Sequence, residues 1–181
     1  PGATGGAPAA MTRRAVPVPM EALLAAGLPE GEGWQYEPKW DGFRCIARRD
    51  GDTIEMISRS GKPLGRYFPE VLEILGRMKE KSFVIDGELI IPLEDRLDFE
   101  ALQLRLHPAE SRVRKLAKET PAQLMLFDVL EIGGNSFGEK PLGERRTPLE
   151  RFHKARKVEG LLLSPATAGM RRCRRSASCC S

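Results

Sequence analysis

Regular alternation of apolar and polar positions begins at Trp34. Trp34–Lys39 and Phe43–Arg49 read as strands, and Arg49-Asp50-Gly51-Asp52 supplies a hairpin turn into a third, Thr53–Arg59. Pro69 then opens a helix predicted through Lys81, with Val71, Leu72, Leu75 and Met78 along one face. Two tightly joined apolar runs follow, Phe83-Val84-Ile85 and Leu89-Ile90-Ile91, on either side of Asp86-Gly87-Glu88. Asp98–Leu106 and Ala109–Lys118 read as helices separated by Pro108. Leu124–Leu130 reads as a buried strand carrying one acid, Asp128, and Gly133-Gly134-Asn135 ends it. Arg145–Lys157 reads as a helix with Pro148 in its first turn. Strands and helices mix without a strict βαβ alternation. That predicts an α+β fold with largely antiparallel sheets and flanking helices.

The two ends lack this patterning. Residues 1–19 are rich in Pro, Gly and Ala and read as a flexible lead-in, within which Met11 offers a natural start. Residues 20–168 form the patterned domain. Beyond it, residues 169–181 hold basic residues and cysteines but no acid. Such a tail cannot bury enough apolar surface to offset its ordering entropy, so it is expected to be disordered or the product of a reading-frame change.

Charge and cysteines change the picture little. The 181 residues carry 29 Lys+Arg against 25 Asp+Glu, a net +4, and Arg171, Arg172, Arg174 and Arg175 account for all of that excess. The body is therefore neutral, and the basic balance is no argument for nucleic-acid binding. Cys173, Cys179 and Cys180 lie in the tail without a histidine at zinc-finger spacing. Cys45, in an apolar run, reads as a buried small hydrophobe in a reduced intracellular protein. No apolar stretch approaches the ~18 residues of a membrane span. The apolar run after Arg13-Arg14 is too short and too interrupted for a signal peptide, so a cytoplasmic location is expected.

The densest chemistry lies in Glu37-Pro38-Lys39-Trp40-Asp41-Gly42-Phe43-Arg44. A lysine at a strand end, beside an Asp-Gly turn, is held at the lip of a sheet. With an ordinary pKa of about 10.4 it becomes nucleophilic only where desolvation, positive charge or a metal helps release its proton. Further on, Ser58-Arg59-Ser60-Gly61 offers an arginine and loop N–H groups to a phosphate. Asp86 and Glu88, two apart, share a strand face. Each residue also has an ordinary reading: Phe127 as core, Glu88 in a salt bridge, Arg59 as an exposed strand end, Asp86 as a turn former with Gly87. His107 and His153 read as surface residues. The basic run Arg112, Arg114, Lys115, Lys118 fits a solvated helix face as well as a DNA contact.

The order of these segments resembles the nucleotidyltransferase domain of ATP-dependent DNA ligases, bacterial ones most closely, over roughly residues 15–165. The quoted stretch around Lys39 is similar to that family's nucleotidyl motif, and Ser58–Gly61 to the next. Phe83-Val84-Ile85-Asp86-Gly87-Glu88-Leu89 resembles its carboxylate motif and Leu124–Leu130 its aromatic motif. The resemblance implies part of an ATP-grasp-like nucleotidyltransferase domain that uses ATP and Mg2+ on nicked double-stranded DNA, nucleoid-associated, with no membrane partner, in company with DNA-repair proteins. By the same resemblance Lys39 is the nucleophile that becomes lysyl-AMP. Glu37 reads the adenine edge, Arg44 and Arg59 meet phosphate or ribose, Glu88 holds the ribose hydroxyls and Phe127 stacks on the base. Asp41, Gly42, Asp86 and Asp128 support them, and the metal ligands stay unassigned.

The family's later Glu-Gly-x-x-x-Lys and Lys-x-Lys strands have no counterpart here; Glu159-Gly160 is followed by serine where lysine belongs. The expectation is therefore a C-terminally incomplete domain that seals nicks poorly or not at all. Two other readings stay open: an RNA ligase or capping-type nucleotidyltransferase, and a non-catalytic remnant that binds nucleotide or DNA.

Overall fold

A two-residue turn at Gly51-Asp52 folds β1 (Phe43–Asp50) back on β2 (Thr53–Ser58), with Asp50 opposite Thr53. Gly51 has a φ of +61°, the left-handed conformation that so tight a hairpin demands. The computed structural model describes residues 19–21, 25–29, 31–94 and 96–168. The expected lead-in up to residue 18 and the expected tail, with its three cysteines, lie outside them.

On its other side β1 pairs antiparallel with β3 (Ser82–Ile90), and β3 pairs antiparallel with β6 (Gln123–Ile132). Two short strands continue the sheet beyond β6: β7 (Asn135–Ser136) runs antiparallel to one end and β8 (Leu161–Leu163) parallel to the other. The helix α1 (Pro69–Gly76) joins β2 to β3. A small hairpin, β4 (Pro92–Leu93) with β5 (Arg96–Leu97), then leads into α2 (Phe99–Arg105) and α3 (Glu110–Glu119). The longest helix, α4 (Leu142–Ala155), sits between β7 and β8. This is the expected α+β architecture.

Period-two alternation divides the sheet into unlike faces. Cys45, Ala47, Phe83, Ile85, Leu89, Leu124, Leu126 and Val129 are buried in one core with Val71 and Leu75 of α1 and Leu149 and Phe152 of α4. Each such large apolar side chain contributes about 1.5–3 kcal/mol on burial, so this face carries the stability. The opposite face has one small apolar cluster, Ile46, Val84 and Leu130, among Arg44, Asp86, Glu88 and Asp128. Acids and arginines there gain nothing from burial, and their presence marks a face kept for something other than packing.

Several expectations are corrected. Trp34–Lys39 is not a strand: Tyr36 exchanges backbone hydrogen bonds with Thr167, 2.8 and 3.0 Å, and the ladder stops there because Pro38 has no N–H to continue it. Asp86-Gly87-Glu88 is not a turn between two runs but the middle of β3. There Gly87 is required by space, since a Cβ would lie 2.6 Å from the Met125 carbonyl oxygen. Helix α1 stops at Gly76 rather than Lys81, because buried Arg49 draws in the carbonyls of Leu75, Gly76 and Met78 at 2.9, 3.0 and 3.1 Å. Helix α4 begins three residues earlier than expected, which places Pro148 in its interior; the carbonyl it leaves free belongs to exposed Glu144. Strand β8 had no sequence signal beyond three leucines, and His153 is half-buried, with its Nε2 3.0 Å from the Leu161 carbonyl.

Candidate functional site

The polar face is organised by β3, whose neighbours bring charges to Asp86 from both sides. Arg44 on β1 grips Asp86 with two nitrogens, Nε to Oδ1 at 3.2 Å and Nη2 to Oδ2 at 2.7 Å. On the other side Asp128 of β6 stands opposite Asp86 and is paired with Arg145 of α4 at 3.1 Å, both side chains 4% exposed. Burial raises both aspartates' affinity for a proton, and in each case the arginine pulls the other way. Two buried carboxylates side by side thus each keep a cation.

Glu88 is different. It stands opposite Arg44 in the ladder, yet its carboxylate makes no hydrogen bond or salt bridge to another described residue. Burial, with the neighbouring Asp86 charge, pushes its carboxyl up to about 7, while Arg44 and Lys39 work against that. It is the half-buried carboxylate of this face with bonding capacity to spare.

A break in the ladder brings in Phe127. The register slips between Asp86 and Gly87, so Phe127 is the extra, unpaired residue of a β-bulge. The bulge turns the ring toward the polar face, where the Arg44 guanidinium lies 5.8 Å from its centroid. Its neighbours Leu126 and Asp128 are buried, while Phe127 itself is half-buried. The reading of Phe127 as plain core is therefore set aside.

Lys39 lies four residues ahead of β1, outside any strand, and is exposed. The expected strand end does not hold it. Its neighbour Gly42 does so by close approach: a Cβ there would overlap the Leu89 carbonyl oxygen and come 2.8 Å from Glu88 Cγ. Gly42 is thus required by space, not by a turn, and it seats the 39–42 segment directly on β3. Asp41 is exposed beside it.

Glu37 belongs to a second polar cluster. Its Oε1 accepts from Gln35 Nε2 at 2.7 Å and lies 3.7 Å from Arg146 Nη1. Burial raises its proton affinity, and hydrogen bonding by Ser164 and Gln35 together with the Arg146 charge oppose it. Arg59 stands apart on the exposed turn after β2, 3.0 Å from Glu21, with its side chain 69% exposed. It shares with Arg44 and Glu88 an open groove of about 980 Å³, whose walls add Ser58, Lys62, Arg66 and Tyr67. The structure therefore gathers Arg44, Asp86, Glu88, Asp128 and Phe127 on one face, with Lys39 beside Glu88, Glu37 at one end and Arg59 across a groove.

Sequence reasoning missed Arg145, Arg146, Ser164 and Met20, whose carbonyl accepts from Arg44 Nη2. One signal was available: Arg145-Arg146 near the start of a helix opposes the helix dipole, which is favourable only where acids wait nearby. The basic run on α3 is partly explained by pairs within the helix, Arg114 with Glu110 and Lys115 with Glu119. Among the described residues no group of three or more His, Cys, Asp or Glu could hold a metal by itself. Mg2+ needs only one or two carboxylates when it arrives with phosphates, and Glu88 fits that limited demand. No helix among the described residues is long and apolar enough to cross a membrane.

Such a sheet, with a lysine seated at its polar face, is the architecture of a DNA ligase nucleotidyltransferase domain. Solved structures agree on the fold: the ligase domain of Mycobacterium tuberculosis LigD superposes with a TM-score of 0.59 at 22% identity, over 80% of this chain and 44% of that one. The chain belongs to the ATP-dependent DNA ligase family, whose domain model matches residues 19–167. It is 51% identical over 118 residues to DNA ligase C2 of Mycolicibacterium smegmatis, covering 65% of this chain and 33% of that protein. It is 49% identical over 131 residues to DNA ligase C of Mycobacterium tuberculosis, covering 72% and 36%. The chain thus spans about a third of the length of these curated relatives.

Proposed function

We propose that residues 20–168 are the N-terminal part of an adenylation domain that joins nicked double-stranded DNA through a lysyl-AMP intermediate. The single observation that carries this is the convergence of Glu88, Asp86-locked Arg44 and bulge-turned Phe127 on the face beside Lys39. No packing requirement explains all of them together.

In this reading the Lys39 amine attacks the α-phosphorus of ATP, a P–N bond forms and pyrophosphate leaves. The adenylate passes to the 5′-phosphate of a nick, and the 3′-hydroxyl then displaces AMP. Phe127 offers the adenine a flat partner, and Glu37 accepts from its amino edge. Arg44, fixed by two bonds to Asp86, presents a guanidinium that costs little further ordering when it meets ribose or phosphate. Arg59 meets phosphate across the groove once its exposed pair with Glu21 opens. Ionised Glu88 accepts from the ribose hydroxyls and is the residue to hold Mg2+ carried in on the nucleotide. The metal supplies neutralisation of the triphosphate charge.

Among residues 1–181 no Lys-x-Lys follows Phe127, so few cations steady the departing pyrophosphate, and sealing by these residues alone is expected to be weak. Incubation with α-labelled ATP and Mg2+ should give acid-labile label that Lys39→Ala abolishes. Label that survives Lys39→Ala, or label from GTP in preference to ATP, would overturn the assignment.

A further inference from the structure

The segment that carries Lys39 has no strand to hold it, and the close approach of Gly42 to β3 fixes only the side that follows Lys39. The structure shows two anchors, on either side of Lys39, that meet at one residue. Trp40 donates its indole N–H to Ser164 Oγ at 3.0 Å. With that lone pair used, the Ser164 hydroxyl keeps its own proton to offer to the Glu37 carboxylate. Ser164 is itself immobilised at every polar group: it is fully buried, its N–H donates to the Leu126 carbonyl at 2.7 Å, and its carbonyl accepts from Arg146 Nη2 at 2.8 Å.

Arg146 closes the knot from α4. Its Nε is bound to Glu150 at 3.0 Å and its Nη2 to Ser164, which fixes the plane of the guanidinium. The remaining nitrogen, Nη1, is buried without a hydrogen-bond partner and lies 3.7 Å from Glu37 Oε1. That is too long for a hydrogen bond and short enough for strong attraction across a poorly solvated gap.

We infer that Arg146 and Ser164 are positioning residues that hold Glu37 and Trp40, and through them the Lys39 segment, for recognition of a purine carrying an exocyclic amine. This rests on the adenylation reading above and deepens it. An ionised, oriented carboxylate accepts from a 6-amino group and repels the 6-oxo group of hypoxanthine. Arg146 supplies the charge that keeps Glu37 ionised where burial opposes it, and Ser164 supplies the direction.

The test uses the full 181-residue chain and two readouts. In a Trp34→Phe background Trp40 is the sole tryptophan, because the chain has only two. Arg146→Ala and Ser164→Ala should each give steeper acrylamide quenching and red-shifted emission of Trp40, and Arg146→Lys should restore most of the shielding. Thermal melting identifies any variant that has lost its fold, and the milder Ser164→Ala then decides. Equilibrium dialysis with AMP and IMP should show a preference for AMP that Arg146→Ala lowers about tenfold, the cost of one misplaced charged hydrogen bond. Arg146→Lys should recover part of that preference. Unchanged quenching in folded Ala variants overturns the inference, as does an AMP preference that survives them. If the parent chain binds neither nucleotide, the adenylation reading fails instead, and Trp40 shielding still decides whether the knot holds the segment.

Discussion

Gly42→Ala is the most informative single change, because it tests whether the Lys39 segment is seated by contact with β3. The added Cβ would overlap the Leu89 carbonyl oxygen, with Glu88 Cγ at 2.8 Å and Ile90 Cγ2 at 3.2 Å. The oxygen is main chain in a strand paired on both sides, Leu89 opposite Phe43 and Leu124, so it cannot rotate away. The start of β1 must retreat instead. Overpacking of this kind costs about 1–3 kcal/mol. Loosening the Phe43–Leu89 pairing adds about 1 kcal/mol per hydrogen bond. A total of about 2–4 kcal/mol lowers the melting midpoint by roughly 5–12 °C in a domain of this size. Gly138→Ala is the matched control: nothing lies within 4 Å of its Cβ position and no positive φ is recorded there. That change should be neutral or slightly stabilising, since it stiffens only the unfolded chain. Urea and thermal melts of both variants, with lysine-dependent labelling, form the assay. A Gly42→Ala protein that melts with the parent would refute the seating argument.

Phe127→Ala should weaken ATP binding by about 1–3 kcal/mol, the worth of a lost base–aromatic stack, at little cost in melting midpoint; unchanged affinity in a nucleotide titration would return Phe127 to the core. Glu88 gives a pH signature whose sign follows from its raised carboxyl. The folded chain keeps that proton where the unfolded chain loses it, so stability should fall from the ordinary carboxylate range up to about pH 7, while ribose binding by the ionised form rises through about 7. Glu88→Gln should flatten both profiles, in urea midpoints and in ATP affinity. Arg145→Met leaves Asp128 buried without its cation and should cost about 3–5 kcal/mol, most of it recovered in Arg145→Met with Asp128→Asn; strictly additive urea-melt losses would count against the pair.

The core-facing half of this fold was legible because its signal is local. Alternation in 43–50 gives a strand and Asp50-Gly51 gives the hairpin, with no knowledge of what lies across the sheet, whereas 83–90 reads as two apolar runs until its neighbours are known. The largest failures involve partners distant in sequence. The end of α1 is set by Arg49 from the strand two elements earlier, and the extended look of Trp34–Lys39 is overruled by Thr167 and Ser164. Glycines show the same limit. Gly42 and Gly87 read as turn residues beside aspartates, yet both are demanded by carbonyls on neighbouring strands. The motif residues were found by their order along the chain, while the arginines that neutralise them on α4 carry no such order.

The bulge at Phe127 explains how one strand can serve both faces. Perfect alternation along β6 would send Phe127 to the face opposite Asp128, and the aromatic and the charge ladder could not meet. One extra residue breaks that rule at a single point and leaves Leu124, Leu126 and Val129 in the core on both sides of the break. A second slip, between Val84 and Ile85, makes Leu130 the next extra residue, and it joins the small apolar cluster of the polar face. The sheet thus spends ladder regularity where chemistry is gathered and keeps it where helices pack. Deleting the slip, by removing residue 127 and closing the strand, would keep β6 continuous and leave the pairing of everything before it unchanged. Asp128 would stay opposite Asp86 and Leu126 opposite Gly87, so Leu124 and Leu126 would keep their places in the core. The domain should still fold, with its melting midpoint little changed, while nucleotide binding that depends on the Phe127 ring is lost. A deletion variant that binds ATP like the parent would refute this role of the bulge.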